Sequence, residues 1–420
     1  MASPPSASPR SLLERLAPTR ALRIALVAYA ATAVLVAIQR TVLSRENNYW
    51  IFTAAFRHLR GGQDLYAAYP ELHSDFFKYS PTFALLFGPF AMLPDTLGYA
   101  GWALACSGVV YWGCVRLLPS RAAAVALGIA WISVVGDVQR AQSNAFVAGL
   151  MILAWVAYEG GRQVPAAVAV AMGAFVKLFP LAAGMGALIH RKWLRFCLIL
   201  TGVIAVGAAL PLIATSRDSL GMQYRSWYAI ETRDAAPMPR YGTGGADLYA
   251  GLMGQLRVWL GVEWPHWPVQ VTGLVILLAP VLLQRARVGE RVFRVQLLAS
   301  LLVFCVLFNH QAESPSYSIA MIGAAIWYAA SERTAWRTAG AALLETFRTG
   351  SVNAAALAYA GFAHAWRNEK AEEFNKLAGL FRADMIVMGA YRHSPTREYF
   401  FGGVTRSFLR GSPAPLFLAR

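Results

Sequence analysis

Charge is what this sequence has least of. Only 14% of its 420 residues are Asp, Glu, Lys or Arg, where a soluble globular chain carries about 25%. That shortage argues against the two or three soluble domains that the length alone would allow. Cysteine is scarce as well. The four that occur, Cys106, Cys114, Cys197 and Cys305, all lie in apolar runs. They show neither metal-ligand spacing nor a disulfide logic, so they read as packing residues. Acids are the scarcer sign, 22 against 38 Lys and Arg, for a net charge of +16. Nucleic-acid binding is one source of such an excess. Here, however, the basic residues gather at the ends of apolar runs: Arg15, Arg20 and Arg23; His190, Arg191, Lys192 and Arg195; Arg285, Arg287, Arg291 and Arg294. That is the positive-inside pattern of a membrane protein, and no nucleic-acid partner is expected.

What the chain does have is apolar length: 57% of its residues are hydrophobic. A run of about 20 apolar residues lets a helix cross the hydrocarbon core. The fold class is therefore an α-helical polytopic membrane protein with membrane lipids as partners. About ten spans are expected, over 21–43, 81–94, 97–117, 121–138, 143–158, 164–189, 192–214, 266–284, 293–309 and 315–331. Two of these runs are irregular. The run 81–94 is short and Pro-bounded, so it reads as tilted or re-entrant. The run 164–189 carries Lys177 and Pro180 and reads as one long span or as two half-helices. Residues 1–20, rich in Pro, Ser and Ala, read as a disordered N-terminus. The run after them lacks a small-residue cleavage site, so it is kept as a helix.

The basic loops 190–195 and 285–294 fall on the side of the N-terminus, which is the cytoplasmic side by the positive-inside rule. Both termini are expected there. The long polar stretches 44–80 and 215–265 then face outward. Their basic residues are balanced by Glu46, Asp64, Glu71 and Asp75 in the first and by Asp218, Glu231, Asp234 and Asp247 in the second. In the first loop Phe52, Ala55, Phe56 and Leu59 recur at helical spacing opposite Arg57 and Arg60. Such a helix lies flat in the outer interface and stops at Gly61-Gly62. The second loop is aromatic, with Tyr224, Trp227, Tyr228, Tyr241, Trp259, Trp264 and Trp267. Such rings form either an interfacial belt or a platform for lipid or sugar.

After Ser331 the composition shifts. Residues 332–382 read as a helical linker. Residues 383–391 (ADMIVMGAY) have strand length, 396–410 have helical spacing, and 414–419 (APLFLA) form a second strand. This is the end of a small α/β unit.

Several blocks in order carry a family resemblance: 47–56 (NNYWIFTAAF), 61–66 (GGQDLY), 77–94 (FKYSPTFALLFGPFAMLP), 141–153 (AQSNAFVAGLMIL), 175–181 (FVKLFPL) and 308–317 (FNHQAESPSY). Over about 45–330 the chain resembles glycosyltransferase family 87. The resemblance implies a membrane-embedded enzyme of the bacterial inner membrane. Such an enzyme moves a hexose, mannose-like, from a polyprenyl-phosphate sugar to an extracytoplasmic acceptor. It implies an Asp base at the start of the first outer loop. The matching position here is Asn48, beside Asn47, with Glu46 just before. An amide cannot take a proton from an acceptor hydroxyl at neutral pH. Either Glu46 is the base, or it is a solvated interfacial charge and the chemistry differs.

The residues expected to bind substrate are Asp64, Tyr66, Lys78, Tyr79, Gln142, Asn144, Lys177, His310 and Glu313. Lys177 sits inside an apolar run, where charges are costly and usually functional. It either holds a lipid phosphate or snorkels at a helix break. Gln142 and Asn144 line a polar pocket or cap a helix. His310 and Glu313 form a metal or diphosphate site or a helix-end hydrogen-bonding pair, and two ligands do not make a metal site. No cofactor is expected, with a divalent metal there or ATP at the tail as the alternatives.

Residues 383–420 resemble the last strand–loop–helix–strand of the universal stress protein family. That family's nucleotide loop runs Gly, two residues, Gly, nine residues, Gly, then Ser or Thr. Here Gly389 and Gly402 fit, Arg392 replaces the second glycine, and Gly403 replaces the hydroxyl residue. The glycines let backbone N–H groups approach phosphate. The tail reads as a truncated remnant without ATP binding, able to self-associate through its final strand. Two functions therefore stay open: a lipid-dependent sugar transferase, or a non-catalytic, decayed membrane protein with a stress-protein tail. A polyprenyl-lipid transporter is a third.

Overall fold

The computed structural model describes residues 19–43, 48–73, 75–189, 193–235, 251–253, 265–309, 312–331, 386–389 and 416–419. The chain divides into two units, Met1–Glu332 and Arg333–Arg420. In the first, the described elements are all helical. They are α1 (Arg20–Leu43), α2 (Asn48–Gly61), α3 (Pro81–Leu86), α4 (Gly88–Ala91), α5 (Asp95–Leu117), α6 (Ser120–Gln139), α7 (Asn144–Glu159) and α8 (Gln163–Val176). Then come α9 (Gly186–Ile189), α10 (Trp193–Ala209), α11 (Arg217–Ala235), α12 (His266–Leu283), α13 (Arg291–Leu307) and α14 (Tyr317–Ala330).

Four described helices are long and apolar enough to cross a membrane: α1, α6, α10 with its extension to Ile213, and α12. Their outward stripes are bare hydrocarbon. Val27 and Leu35 on α1 are each 65% exposed, and Leu283 on α12 is 84% exposed. Water would penalise that surface, whereas lipid does not. By contrast α14 is buried along nearly its whole length, from Tyr317 to Ile326. A helix apolar all round belongs in the interior. Two glycines let backbones meet there. A Cβ on Gly149 of α7 would lie 2.7 Å from the Val109 carbonyl carbon of α5, and one on Gly323 of α14 would lie 2.7 Å from the Ala299 carbonyl oxygen of α13. The molecule is a multi-pass membrane protein.

One end of the bundle is basic. The Tyr111 hydroxyl on α5 donates to the Leu22 carbonyl at the start of α1 (3.2 Å). Arg291 Nη2 donates to the Leu117 carbonyl (3.0 Å), and Gln296 Nε2 to Ser331 Oγ (2.9 Å). The start of α1, the end of α5, the start of α13 and the end of α14 therefore share this end, with Arg20, Arg23, Arg116, Arg291 and Arg294.

The two irregular runs resolve in physical terms. The run 81–94 begins and ends at the opposite end of the bundle. Ser80 Oγ donates to the Phe175 carbonyl in the last turn of α8 (2.6 Å), while Thr96 meets Thr41 near the end of α1 (2.9 Å). The segment is thus a re-entrant pair, α3 and α4, and not a crossing. Ser80 caps α3, and prolines at the first turns of α3 and α4 restart the helix each time. The run 164–189 is two antiparallel passes. Lys177 is extended (φ −146°, ψ 141°) between α8 and a 3-10 helix, Phe179–Met185. A Cβ on Gly173 would lie 2.8 Å from Pro180 Cβ, whereas seven residues of straight helix span about 10.5 Å. The chain turns back at Lys177.

Helix α2 also differs from the flat interfacial helix expected. Arg57 and Arg60 are exposed as its spacing requires, but Phe52, Ala55, Phe56 and Leu59 are covered by protein. Phe52 meets Phe83 and Phe87 edge-on at 5.0 and 5.2 Å. The re-entrant pair takes the place that lipid was expected to fill. The helix does stop at the glycines, with Gly62 at φ +68° and the Gln63 N–H returning to the His58 carbonyl (3.0 Å).

In the second unit β1 (Ile386–Gly389) pairs in parallel with β2 (Leu416–Ala419), from Ile386 opposite Leu416 to Gly389 opposite Ala419. Both strands fall where their apolar runs predict. Parallel pairing needs a crossover connection. The expected linker 332–382 and the helix 396–410 lie outside the described residues.

Candidate functional site

Between α6 and α7 the chain makes a tight turn at the end opposite the basic one. Ala141 is its pivot, at φ +50°, a left-handed conformation that costs an L-residue energy unless its surroundings hold it. Two groups do so. Trp102 Nε1 donates to the Ala141 carbonyl (3.2 Å), and the Tyr99 hydroxyl donates to the Val138 carbonyl (2.8 Å). Asn48 closes the same turn from α2, its Nδ2 donating to the Arg140 carbonyl (3.1 Å).

This turn presents a line of polar groups. The Asp137 carboxylate, 2% exposed, accepts the Ala145 N–H at the start of α7. It also accepts Asn144 Nδ2 (3.2 Å) and Ser318 Oγ from α14 (3.0 Å). A carboxylate at a helix N-terminus satisfies unpaired N–H groups and complements the dipole. Asn144, fully buried, then accepts Lys177 Nζ at 2.6 Å. The amide bridges an acid and an ammonium that do not touch. Lys177 Nζ has one hydrogen-bond partner among the described residues, which leaves two protons to offer. Tyr79 and Glu313 lie within electrostatic reach of the group, Tyr79 beside Ser143 and Glu313 near Lys177. The hairpin at Lys177 is what carries the lysine to this spot.

A second network braces the loop between α2 and α3. The Tyr66 hydroxyl donates to the Tyr79 carbonyl (2.8 Å). Asp64 Oδ1 accepts the Tyr66 N–H (3.0 Å) and Oδ2 accepts Ser226 Oγ of α11 (3.0 Å). Gln223 of α11, fully buried, bonds the backbone on either side of Asp64, at the Leu65 N–H (3.0 Å) and the Gln63 carbonyl (2.7 Å). Trp227 Nε1 reaches the Lys78 carbonyl (3.3 Å) and Glu231 (3.2 Å). Burial, then the neighbouring Tyr224, Asp64 and Glu231, push the Tyr66 hydroxyl far above its ordinary pKa. It stays a donor at any physiological pH. Asp64 and Tyr66 thus clamp the strap 76–80 against α11.

The structure therefore brings Asn144 and Lys177 into direct contact and sets Tyr79 and Glu313 around them. Gln142 lies in the same turn, its N–H on the Asp137 carbonyl (2.9 Å). Asn48 is committed to the Arg140 carbonyl, and Lys78 is half-buried on the strap. Glu46, His310, Arg392, Gly402 and Gly403 lie outside the described residues, and Gly389 ends β1. Among the described residues no cluster of His, Cys, Asp or Glu could hold a metal. Sequence reasoning missed Asp137. Its signal was an acid inside the apolar run 121–138. Ser318 and Gln223 carried no signal of their own.

Asp137→Ala would strand three donors at once, each buried unsatisfied group costing about 1–3 kcal/mol. We expect it to lower unfolding free energy in mixed micelles by about 3–5 kcal/mol. Ser318→Ala should cost about 0.5–1.5 kcal/mol. An Asp137→Ala protein as stable as the parent would show that the network does not hold the turn.

The fold defines a multi-pass membrane protein with a polar, charged cluster at its less basic end. The chain belongs to glycosyltransferase family 87, whose profile matches residues 76–309. Lys78, Tyr79, Asp137, Gln142, Asn144 and Lys177 fall within that match, whereas Asn48, Asp64 and Tyr66 precede it. The universal stress protein family matches residues 323–420, which takes in the segment expected as a linker. Among solved structures, the crystal structure of ArnT from Cupriavidus metallidurans bound to undecaprenyl phosphate is similar over 78% of this chain, at 16% identity and a TM-score of 0.39. The chain covers 63% of that one. No curated protein matches it.

Proposed function

We propose that the protein transfers a hexose, mannose-like, from a polyprenyl-phosphate sugar to an extracytoplasmic acceptor, at the end where Asp137, Asn144 and Lys177 converge. The acceptor hydroxyl attacks the anomeric carbon. The bond from that carbon to the phosphate oxygen breaks, and the polyprenyl phosphate leaves with the electron pair. The hydroxyl proton passes to a base. The observation that carries this reading is Lys177, which has one hydrogen-bond partner among the described residues and two further protons to offer. An ammonium there can stabilise the charge that grows on the leaving phosphate. Glu46 is proposed as the base. Asp64, Tyr66 and Lys78 order the strap, while Gln142, Tyr79, Glu313 and His310 border the substrate. Tracking loss of a radiolabelled polyprenyl-phosphate hexose in proteoliposomes holding the full chain tests the proposal. Turnover supports it, and inertness toward every such donor overturns it.

The decayed-enzyme reading is favoured by one specific observation. Asn48 places an amide where the resemblance to the family implies a carboxylate, and that amide donates to the Arg140 carbonyl. Comparing lipid-linked sugar pools in cells with and without the gene separates the two readings. A pool that rises on deletion marks an enzyme.

For orientation, we propose that the basic end is cytoplasmic in a bacterial inner membrane, with both termini on that side. Reporter fusions after Ser331 should give a cytoplasmic signal, and fusions within 215–265 an external one. A cytoplasmic signal from 215–265 would reverse the assignment.

A further inference from the structure

At the basic end, far from the Lys177 cluster, a cavity of about 570 Å³ opens between α5, α7 and α13, lined by Val115, Arg116, Leu117, Val156, Glu159, Gly160 and Arg291. Its size lies within the range of about 300–1,000 Å³ typical of small-molecule sites. Its wall is mixed. Val115, Leu117 and Val156 supply an apolar floor. Gly160 sits at the helix C-cap and adds no side chain.

The charges at this cavity are unequal in commitment. Glu159 is neutralised by Arg294 in a two-pronged pair, with Nε to Oε1 at 2.6 Å and Nη2 to Oε2 at 2.7 Å. The remaining Arg294 nitrogen donates to the Val288 and Gly289 carbonyls (3.1 and 2.6 Å). Arg287 is tied to Glu290 and Gln284 (3.3 and 2.9 Å). The lining arginines differ. Arg291 donates from one nitrogen to the Leu117 carbonyl (3.0 Å), which fixes its position. Its other donors have no partner among the described residues. Arg116 rests over the Trp112 ring at 5.3 Å and has no hydrogen bond among the described residues. Two exposed guanidinium groups therefore face a hollow whose one acid is already paired.

We propose that this cavity binds a phosphate group, and that its occupant is the headgroup of an anionic phospholipid. Guanidinium forks match phosphate oxygens in pairs. Basic pockets between membrane helices on the cytoplasmic side suit anionic headgroups. The apolar floor fits a glycerol and the first acyl methylenes, which a free phosphate ion does not need. The inference rests on the position of the basic end and not on the transferase reading.

Native mass spectrometry of the full chain in detergent tests it, with phosphatidylglycerol and phosphatidylcholine of matched acyl chains as probes. The parent should retain phosphatidylglycerol preferentially. Arg116→Gln, which breaks no hydrogen bond among the described residues, should weaken that preference about fivefold, the effect of one basic residue near an anionic lipid. Arg116→Gln with Arg291→Gln should abolish it. Val156→Trp, which fills the hollow and keeps both charges, should abolish it too. An unchanged melting midpoint in detergent confirms that each variant is folded. Equal retention of the two lipids by the parent overturns the proposal. So does full preference in the double variant. Displacement of phosphatidylglycerol by millimolar inorganic phosphate would show a free-phosphate site and reject the lipid.

Discussion

Lys177→Gln is expected to lower sugar transfer by about 10²–10³-fold, the scale for removing a group that stabilises charge in the transition state. The glutamine amide ends one atom short of the lysine Nζ, so the contact with Asn144 Oδ1 weakens, while the Asp137 carboxylate keeps its bonds from Ala145, Asn144 and Ser318. What disappears is the positive charge. The leaving phosphate gains negative charge as the anomeric bond breaks, so the loss should fall mainly on kcat and less on KM. Lys177→Arg should recover part of the rate, since it restores charge but not the compact ammonium. Asn144→Ala should reduce the rate less than Lys177→Gln, because it frees the lysine without removing it. Steady-state transfer in proteoliposomes reads all three. Equal activity for Lys177→Gln and the parent would take the lysine out of the chemistry and leave it as a helix-break residue.

Much of this site was legible before any fold was known, and the reason is dielectric. A charge in an apolar run is costly, so Lys177 stood out, and Pro180 after it marked a break. Asp137 obeyed the same rule and was overlooked, because a span ending at 138 let the acid pass as terminal. Its role as the cap of α7 depends on a turn whose shape lies in Ala141, and an alanine at positive φ leaves no trace in sequence. The strap was half legible. Asp64 and Tyr66 were picked as ligands, and in the structure Asp64 accepts Ser226 of α11 while the Tyr66 hydroxyl donates to the Tyr79 carbonyl. Polar residues in an outer loop look alike whether they meet a sugar or another loop. The run 81–94 was readable as tilted or re-entrant because it is short and bounded by Pro81 and Pro94. Whether it dipped or tilted depended on Thr96 meeting Thr41, a contact between residues 55 apart.

The hairpin at Lys177 also explains how one chain makes a polar site in a membrane. A continuous helix over 164–189 would satisfy its own backbone and leave Lys177 at mid-depth. Breaking at 177 moves the lysine to the bundle end. It also frees the Phe175 carbonyl, which Ser80 then occupies. The re-entrant pair is thereby tied to the same turn. Irregular backbone at membrane depth is tolerated where protein covers it, and here α7 and α13 do so.

Glu46→Gln is expected to lower transfer by about 10²–10⁴-fold, the contribution usual for a general base. The case rests on sequence position and on exclusion. Asn48 Nδ2 and N–H both point at the Arg140 carbonyl (3.1 and 3.4 Å), so this residue marks the rim of the turn that carries Asn144. Glu46 precedes this residue by two positions in the sequence. Two other acids near the site are engaged: Asp137 accepts three hydrogen bonds among the described residues, and Asp64 is fixed by Ser226 and the Tyr66 N–H. Glu313 is exposed and sits near Lys177, whose charge it balances. An amide at 48 cannot remove a proton, so the carboxylate two residues earlier is the remaining candidate on this segment. Asn48→Asp supplies the complementary result. Its carboxylate cannot donate to the Arg140 carbonyl and is repelled by it, so it should swing toward the site and keep or raise activity. In the double variant Glu46→Gln with Asn48→Asp, activity should return toward the parent level. Full activity in Glu46→Gln alone would remove Glu46 from the mechanism, whereas loss of activity in the double variant would show that a carboxylate at 48 cannot replace it.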